Sequence, residues 1–240
     1  PEALEFTEAY FLALNYYSLL ASHQIAKERG ETFAGFKDSR YADGSYFDDY
    51  VTKPFTLKFE KNRAAFSGVH LPTMADWQAL KEAVQTDGLY HRNRLAVAPN
   101  GSISYVNETS ASLTPITQLV ERRQENKVGA LFYPAPYLSN ETLPYYTPAY
   151  DLDQRKIIDT YAVAQKHVDQ GMSLTLFMRS TLPTGLYEWK KPDQPKMTTR
   201  DLNRLRNYAW TKGIKSLYYI RTFTTDDEIH TANECESCMI

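Results

Sequence analysis

Two stretches decide how this chain is read: Ser173–Met178, SLTLFM, and Ser216–Phe223, SLYYIRTF. Each is a short, mostly apolar run of strand length. Between them a polar, proline-bearing insert extends to Lys196. Thr198-x-x-Asp201 then opens a helix that runs through Trp210 and closes at Lys212-Gly213. Strand, crossover helix and strand in that order make a parallel βαβ unit, so the class reading is α/β. Immediately ahead, Asp153–Gln170 places Ile157, Tyr161, Ala164 and Val168 on one helical face, with Gly171 as its stop.

Working outward, the first segment also reads as a helix. Phe6, Tyr10, Ala13, Tyr17 and Leu20 recur at three- and four-residue spacing as one apolar face, and Lys27, Arg29 and Gly30 supply the stop. The stretch from Phe33 to Lys61 is loop-rich, punctuated by Gly35, Asp43-Gly44 and Pro54. A second helix starts at Thr73, where Thr73-x-x-Asp76 resembles a capping box, and ends before Gly88 with Trp77, Leu80 and Val84 as its stripe. Leu95–Val106 reads as extended, interrupted by Pro99-Asn100-Gly101, and Val128–Tyr133 as a further strand. Pro134, Pro136, Pro144 and Pro148 rule out helix in the segment that follows and give an ordered loop. Residues 224–240 carry no periodicity and read as a mobile tail behind a domain spanning 1–223.

A formal charge of −2 gives no general attraction to nucleic acid or an anionic membrane. No apolar run approaches the ~18–20 residues that span a bilayer. Two cysteines in 240 residues do not make a disulfide framework, which points to a reducing compartment with the cytoplasm as the default. None of the five histidines forms a metal-ligand spacing with another, and no metal site is expected.

Three constellations could carry chemistry. Both cysteines lie in the closing Cys235-Glu236-Ser237-Cys238-Met239-Ile240. Such a pair can bind metal, form a redox disulfide or be two incidental thiols. Zinc wants four ligands, and only His230 is near. The remaining chemical use is a tethered dithiol that exchanges with one disulfide and is recharged by another protein. A leash from Phe223 to Cys235 reaches at most ~40 Å. The second constellation is Ala98-Pro99-Asn100-Gly101-Ser102-Ile103-Ser104. Asn-Gly between extended runs signals a hairpin. Alternatively the segment is an anion cradle, with Gly101 admitting close approach and Asn100, Ser102 and backbone N–H groups donating to phosphate oxygens. No Walker lysine follows. The third is Tyr218-Tyr219, one of three adjacent pairs among 18 tyrosines. Neighbours on a regular strand point to opposite faces. Passing a hydrogen atom or electron between the two requires the rings to meet, hence a departure from regular geometry.

The three occur together in an order that resembles a known family. Arg92–Ile116 (RNRLAVAPNGSISYVNETSASLTPI) is similar to the phosphate-binding segment of class I ribonucleotide reductase large subunits, and Tyr150–Met178 to the helix and strand that follow. Tyr208–Thr222 (YAWTKGIKSLYYIRT) resembles the radical-transfer strand, and the closing Cys-x-x-Cys-Met-Ile the tail of class Ib. The resemblance extends to Phe6–Arg29 and Gly35–Tyr50, so it covers essentially the whole chain.

The resemblance implies the C-terminal portion of a ten-stranded α/β barrel. Pro99, Asn100, Gly101, Ser102 and Ile103 would hold the substrate diphosphate with Ser104 alongside; Asn100 stands where the family usually has Thr, exchanging a hydroxyl for an amide that can still donate. Tyr218 and Tyr219 would be the last radical relay. Cys235 and Cys238 would re-reduce the active-site disulfide and draw electrons from a glutaredoxin- or thioredoxin-like protein. No cofactor is implied in this chain; a small β subunit would hold a dimanganese or diiron tyrosyl-radical centre. The family's hydrogen-abstracting cysteine and its two reductant cysteines have no counterpart before Cys235. The expectation is therefore a catalytic portion that reduces ribonucleoside diphosphates only with the N-terminal part of the large subunit. The alternatives are a non-catalytic nucleotide-binding or regulatory subunit, and a dithiol carrier serving other enzymes.

Overall fold

A computed structural model describes residues 1–125 and 129–223. They group into two compact units: Pro1–Ala96 with Val163–Gly171, and Val97–Ala162 with the described residues from Met172 onward.

The first unit is helical. Helix α1 spans Glu2–Arg29 and stops where expected, at Gly30, whose φ of 66° is the left-handed conformation glycine adopts freely. Its buried face is only partly the expected one: Ala13 is buried and Leu20 packs against the core. Phe6, Tyr10 and Tyr17 remain 42%, 48% and 42% exposed, while Ala9, Leu12, Leu19 and Ala26 are buried together with Asn15, Ser22 and His23. The helix carries apolar residues on more than one side and places polar residues in the core, so spacing alone selects only part of the buried stripe. Leu12 and Leu19 join a core of Phe36, Phe47, Trp77, Leu80, Val84 and Leu89. The loop-rich stretch after α1 is built from two 3-10 turns, Phe36–Asp38 and Ser45–Phe47, and two short helices, α2 (Asp48–Thr52) and α3 (Glu60–Ala65). Helix α4 (Met74–Asp87) follows the sequence reading closely. Thr73 and Asp76 form the capping box, Trp77, Leu80 and Val84 are buried, and Gly88 ends it.

The second unit holds the sheets. Gly101–Val106 forms a short helix, α5, where an extended run was expected; only Val97 keeps a strand-like contact, a parallel bridge to Met172. Strands β1 (Val120–Glu125) and β2 (Gly129–Pro134) pair antiparallel, Val120 opposite Pro134. The expected strand at Val128–Tyr133 is β2, with Val128 outside the described residues. Its partner β1, VERRQE, is too polar to stand out in the sequence. The proline-rich segment is an ordered loop with 3-10 turns at Leu143–Tyr145 and Ala149–Asp151. Helix α6 runs Gln154–Gln165, five residues short of the expected Gln170. The Gln165 amide explains the early end: its Nε2 donates to the carbonyls of Val168 and Gln170 at 3.0 and 2.9 Å, fixing a turn where helix would have continued.

The βαβ unit is present as read. Strand β3 (Leu174–Arg179) and strand β4 (Leu217–Phe223) pair in parallel, joined through helix α7 (Thr199–Thr211). Thr198 and Asp201 form the α7 capping box. Asp201 also accepts from Trp189 Nε1 (3.0 Å) and Lys190 Nζ (2.9 Å), which ties the insert to the helix start. Burial works to raise its pKa, but the hydrogen bonds from Thr198, Lys190 and Trp189 prevail and hold it at about 2. β3 is buried from Leu174 to Met178, whereas β4 is largely exposed. Among the described residues no helix is long and apolar enough to cross a membrane.

Candidate functional site

In a regular parallel ladder Tyr218 and Tyr219 would face opposite ways. The β3–β4 register does not run regularly: Leu174 pairs with Leu217 and Thr175 with Tyr219, so Tyr218 is the extra residue of a bulge. The bulge turns both side chains together. Their ring centroids lie 4.0 Å apart with the planes inclined by 52°. The rings are 45% and 51% exposed. A hydrogen bond to Tyr219 holds the Tyr218 phenol above its ordinary pKa, so its proton stays on at neutral pH.

Asn100-Gly101 does not form a hairpin turn. Asn100 precedes α5, its carbonyl accepting from Ser104 N at 3.2 Å, and the Ser104 hydroxyl donates to Gly101 O at 2.6 Å. Pro99, Asn100, Ser102 and Ile103 are exposed, and Ser104 is buried beneath them. A methyl group built on Gly101 would meet no atom within 4 Å beyond its chain neighbours and its own helix backbone, so the space above this backbone is open. The loop is anchored on two sides. Tyr105 of α5 packs on Tyr133 of β2, ring centroids 4.6 Å apart, and donates to the Glu121 carboxylate of β1. On the other side, Ser112 N donates to Asn100 Oδ1 at 2.8 Å, and Ser112 Oγ lies 2.7 Å from Ser173 Oγ.

Ser173 stands two residues before Thr175, the residue paired with Tyr219. Val97, at the head of the loop, bridges Met172, whose backbone N–H and carbonyl both bond the Ser216 hydroxyl, at 3.1 and 2.8 Å. The loop is therefore fastened to Met172 and Ser173, which lead into β3, and the tyrosine pair to the first residues of that strand. Cys235 and Cys238, the third constellation, lie outside the described residues. Sequence reasoning passed over Ser112 and Ser173, which carry no motif and meet the loop only through the fold.

A profile of the family described as "Ribonucleotide reductase, barrel domain" matches residues 1–220. The chain belongs to that family. The α/β elements above are accordingly part of a ribonucleotide reductase barrel. Over 240 residues the chain is 42% identical to the ribonucleoside-diphosphate reductase subunit alpha of Bacillus subtilis (strain 168), covering 100% of itself and 31% of that protein. The subunit alpha of Mycoplasma pneumoniae is 39% identical over 251 residues, with 33% of its length covered. That of Helicobacter pylori is 30% identical over 241 residues, with 28% covered. The chain thus spans about a third of the length of these curated relatives.

Proposed function

We propose that this chain supplies the C-terminal part of the barrel of a class Ib ribonucleoside-diphosphate reductase catalytic subunit. With the N-terminal part of the large subunit, it takes part in reducing ribonucleoside diphosphates to deoxyribonucleotides in a reducing, cytoplasmic setting. Pro99, Asn100, Gly101, Ser102 and Ile103 receive the diphosphate, whose oxygens accept from the exposed loop. Tyr218 and Tyr219 relay oxidising equivalents from a small β subunit carrying a dimanganese or diiron tyrosyl-radical centre. Because a phenol near pKa 10 stays protonated, each transfer moves a proton with the electron. Cys235 and Cys238 close the cycle. Two active-site thiols of the N-terminal part give up two electrons and two protons and become a disulfide as the ribonucleotide loses its 2′-hydroxyl as water; Cys235 and Cys238 re-reduce that disulfide by exchange, and a glutaredoxin- or thioredoxin-like protein restores the tail dithiol. Assignment to class Ib rests on the closing Cys-x-x-Cys-Met-Ile.

The observation that carries the reading is the bulge at Tyr218. A strand that needed only to pair with β3 has no use for an extra residue, whereas a relay needs two phenols in contact. The test is a turnover assay with radical-loaded small subunit and dithiol. This chain alone should give no deoxynucleotide, and adding the N-terminal part of the subunit should restore it. Either Tyr218→Phe or Tyr219→Phe should reduce turnover to background while substrate binding is kept. Full activity in both Phe variants, or turnover by the chain alone, defeats the reading.

A further inference from the structure

The amide of Asn100 is met by a partly buried hydroxyl network that belongs to none of the constellations above. A backbone N–H can only donate, so the Asn100 atom facing Ser112 N at 2.8 Å is the carbonyl oxygen Oδ1. The Nδ2 hydrogens are then what Asn100 offers to anything approaching the exposed loop. Ser112 itself is held firmly. Its Oγ lies 2.8 Å from Tyr161 Oη and 2.7 Å from Ser173 Oγ, and the next backbone N–H, Leu113, donates to Tyr161 Oη at 3.3 Å. Tyr161 is fully buried and donates to Ser173 O at 3.3 Å. One proton assignment satisfies every group. The Ser173 hydroxyl donates to Ser112 Oγ, Ser112 to Tyr161 Oη, and Tyr161 to the Ser173 carbonyl. Ser112 also adopts φ 56°, a left-handed backbone that a non-glycine residue holds only at a cost, so the surrounding contacts over-determine its position.

We infer that Ser112, braced by Tyr161 and Ser173, is a positioning residue that turns the Asn100 amide so that it presents N–H donors, and no acceptor, to the diphosphate. The inference rests on the proposed phosphate role of the 99–103 loop and explains how an amide serves at this position. A freely rotating amide would offer its oxygen half the time and repel phosphate; a clamped one selects for an anion.

The test uses the assembled reductase, with KM for a ribonucleoside diphosphate and kcat measured separately. Asn100→Asp keeps an acceptor for Ser112 N but presents a carboxylate to the phosphates, and should raise KM at least tenfold. An unchanged KM there would remove the phosphate reading and this inference with it. Tyr161→Phe should raise KM about threefold to tenfold and leave kcat within twofold. In an Asn100→Gly background the same Tyr161→Phe change should add nothing to KM, since the amide it orients is gone. If Tyr161→Phe raises KM equally in both backgrounds, Tyr161 acts only on the general fold; the phosphate role of the loop survives and the positioning role does not. Should Tyr161→Phe fail to fold, Ser112→Ala replaces it in the same cycle. That variant keeps the backbone N–H and removes only the brace, and is judged by the same outcomes.

Discussion

β3 and β4 are neighbours in one sheet with similar sequences, LTLFMR and LYYIRTF, yet they live in different environments. β3 is buried from Leu174 to Met178. In β4, Tyr218, Tyr219 and Ile220 are 45%, 51% and 44% exposed. The difference is one of position. β3 has β4 on one side, and away from it Phe177 N donates at 2.8 Å to Oε1 of the fully buried Gln154 on α6. Such satisfaction lets backbone sit in a core. β4 leaves its side chains largely uncovered within this chain and is the strand that carries an extra residue. A buried strand cannot accept a bulge without disturbing side chains packed on both faces, whereas a strand at the margin can bend and re-aim a pair of rings. Burial and the bulged tyrosine pair are thus divided between two strands of similar apolar composition.

The most direct way to break this comparison is to truncate equivalent apolar residues. Leu176, fully buried on β3, pairs with Ile220 of β4. Leu176→Ala should cost about 2–5 kcal/mol through lost transfer energy and the cavity left behind. Ile220→Ala should cost about 1 kcal/mol or less, the usual range for a partly exposed site. Urea unfolding monitored by circular dichroism measures both. Equal losses would mean that β4 is as much a core strand as β3.

How much of this was legible follows from which signals are local. The α4 and α7 starts were readable because a capping box is a four-residue code, and β3 because a short apolar run followed by Arg179 is self-contained. The buried side of α1 was only partly readable. Its aromatic residues recur at helical spacing yet remain half exposed, while Asn15 enters the core by bonding Tyr50 and Tyr46 far along the chain. β1 was hidden by its charges, and α5 by an Asn-Gly that signals a hairpin more strongly than it signals a helix start. At the site, Tyr218-Tyr219 could be named but not their contact, since no glycine or proline marks the bulge. Ser112 was invisible. It meets Asn100, Tyr161 and Ser173 at separations of 12, 49 and 61 residues, and no local pattern encodes such contacts.

If position outweighs residue type, a polar side chain placed in a core should show its cost as pH changes. His167 is buried, its Nδ1 lies 3.1 Å from the Tyr50 hydroxyl, and its Nε2 has no hydrogen-bond partner among the described residues. Burial, with the nearby Lys166 charge adding to it, lowers its pKa from 6.5 to about 4. Between those values the unfolded chain binds a proton that the folded chain refuses. Stability should therefore be complete above pH 6.5 and decline as pH falls toward 4, by on the order of 3 kcal/mol in all. His167→Asn should flatten that part of the pH–stability curve. A slope that persists unchanged in the variant would assign the acid sensitivity to other groups.

A comparably small effect probes whether the two strands are energetically separate. Thr198 Oγ1 accepts from Asp201 N at 3.3 Å and donates to Asp201 Oδ2 at 2.6 Å at the start of α7, the helix that delivers the chain to β4. Thr198→Ala removes both bonds and should cost about 1 kcal/mol. The loss stays small because Trp189 and Lys190 continue to hold the Asp201 carboxylate. What matters is where the loss is felt. Amide hydrogen exchange should quicken in the first turn of α7 and along β4, while β3, secured through Gln154, keeps its protection. Equal loosening of β3 would show that the pair opens as one cooperative unit, and the separation of roles between the strands would then be a matter of exposure alone.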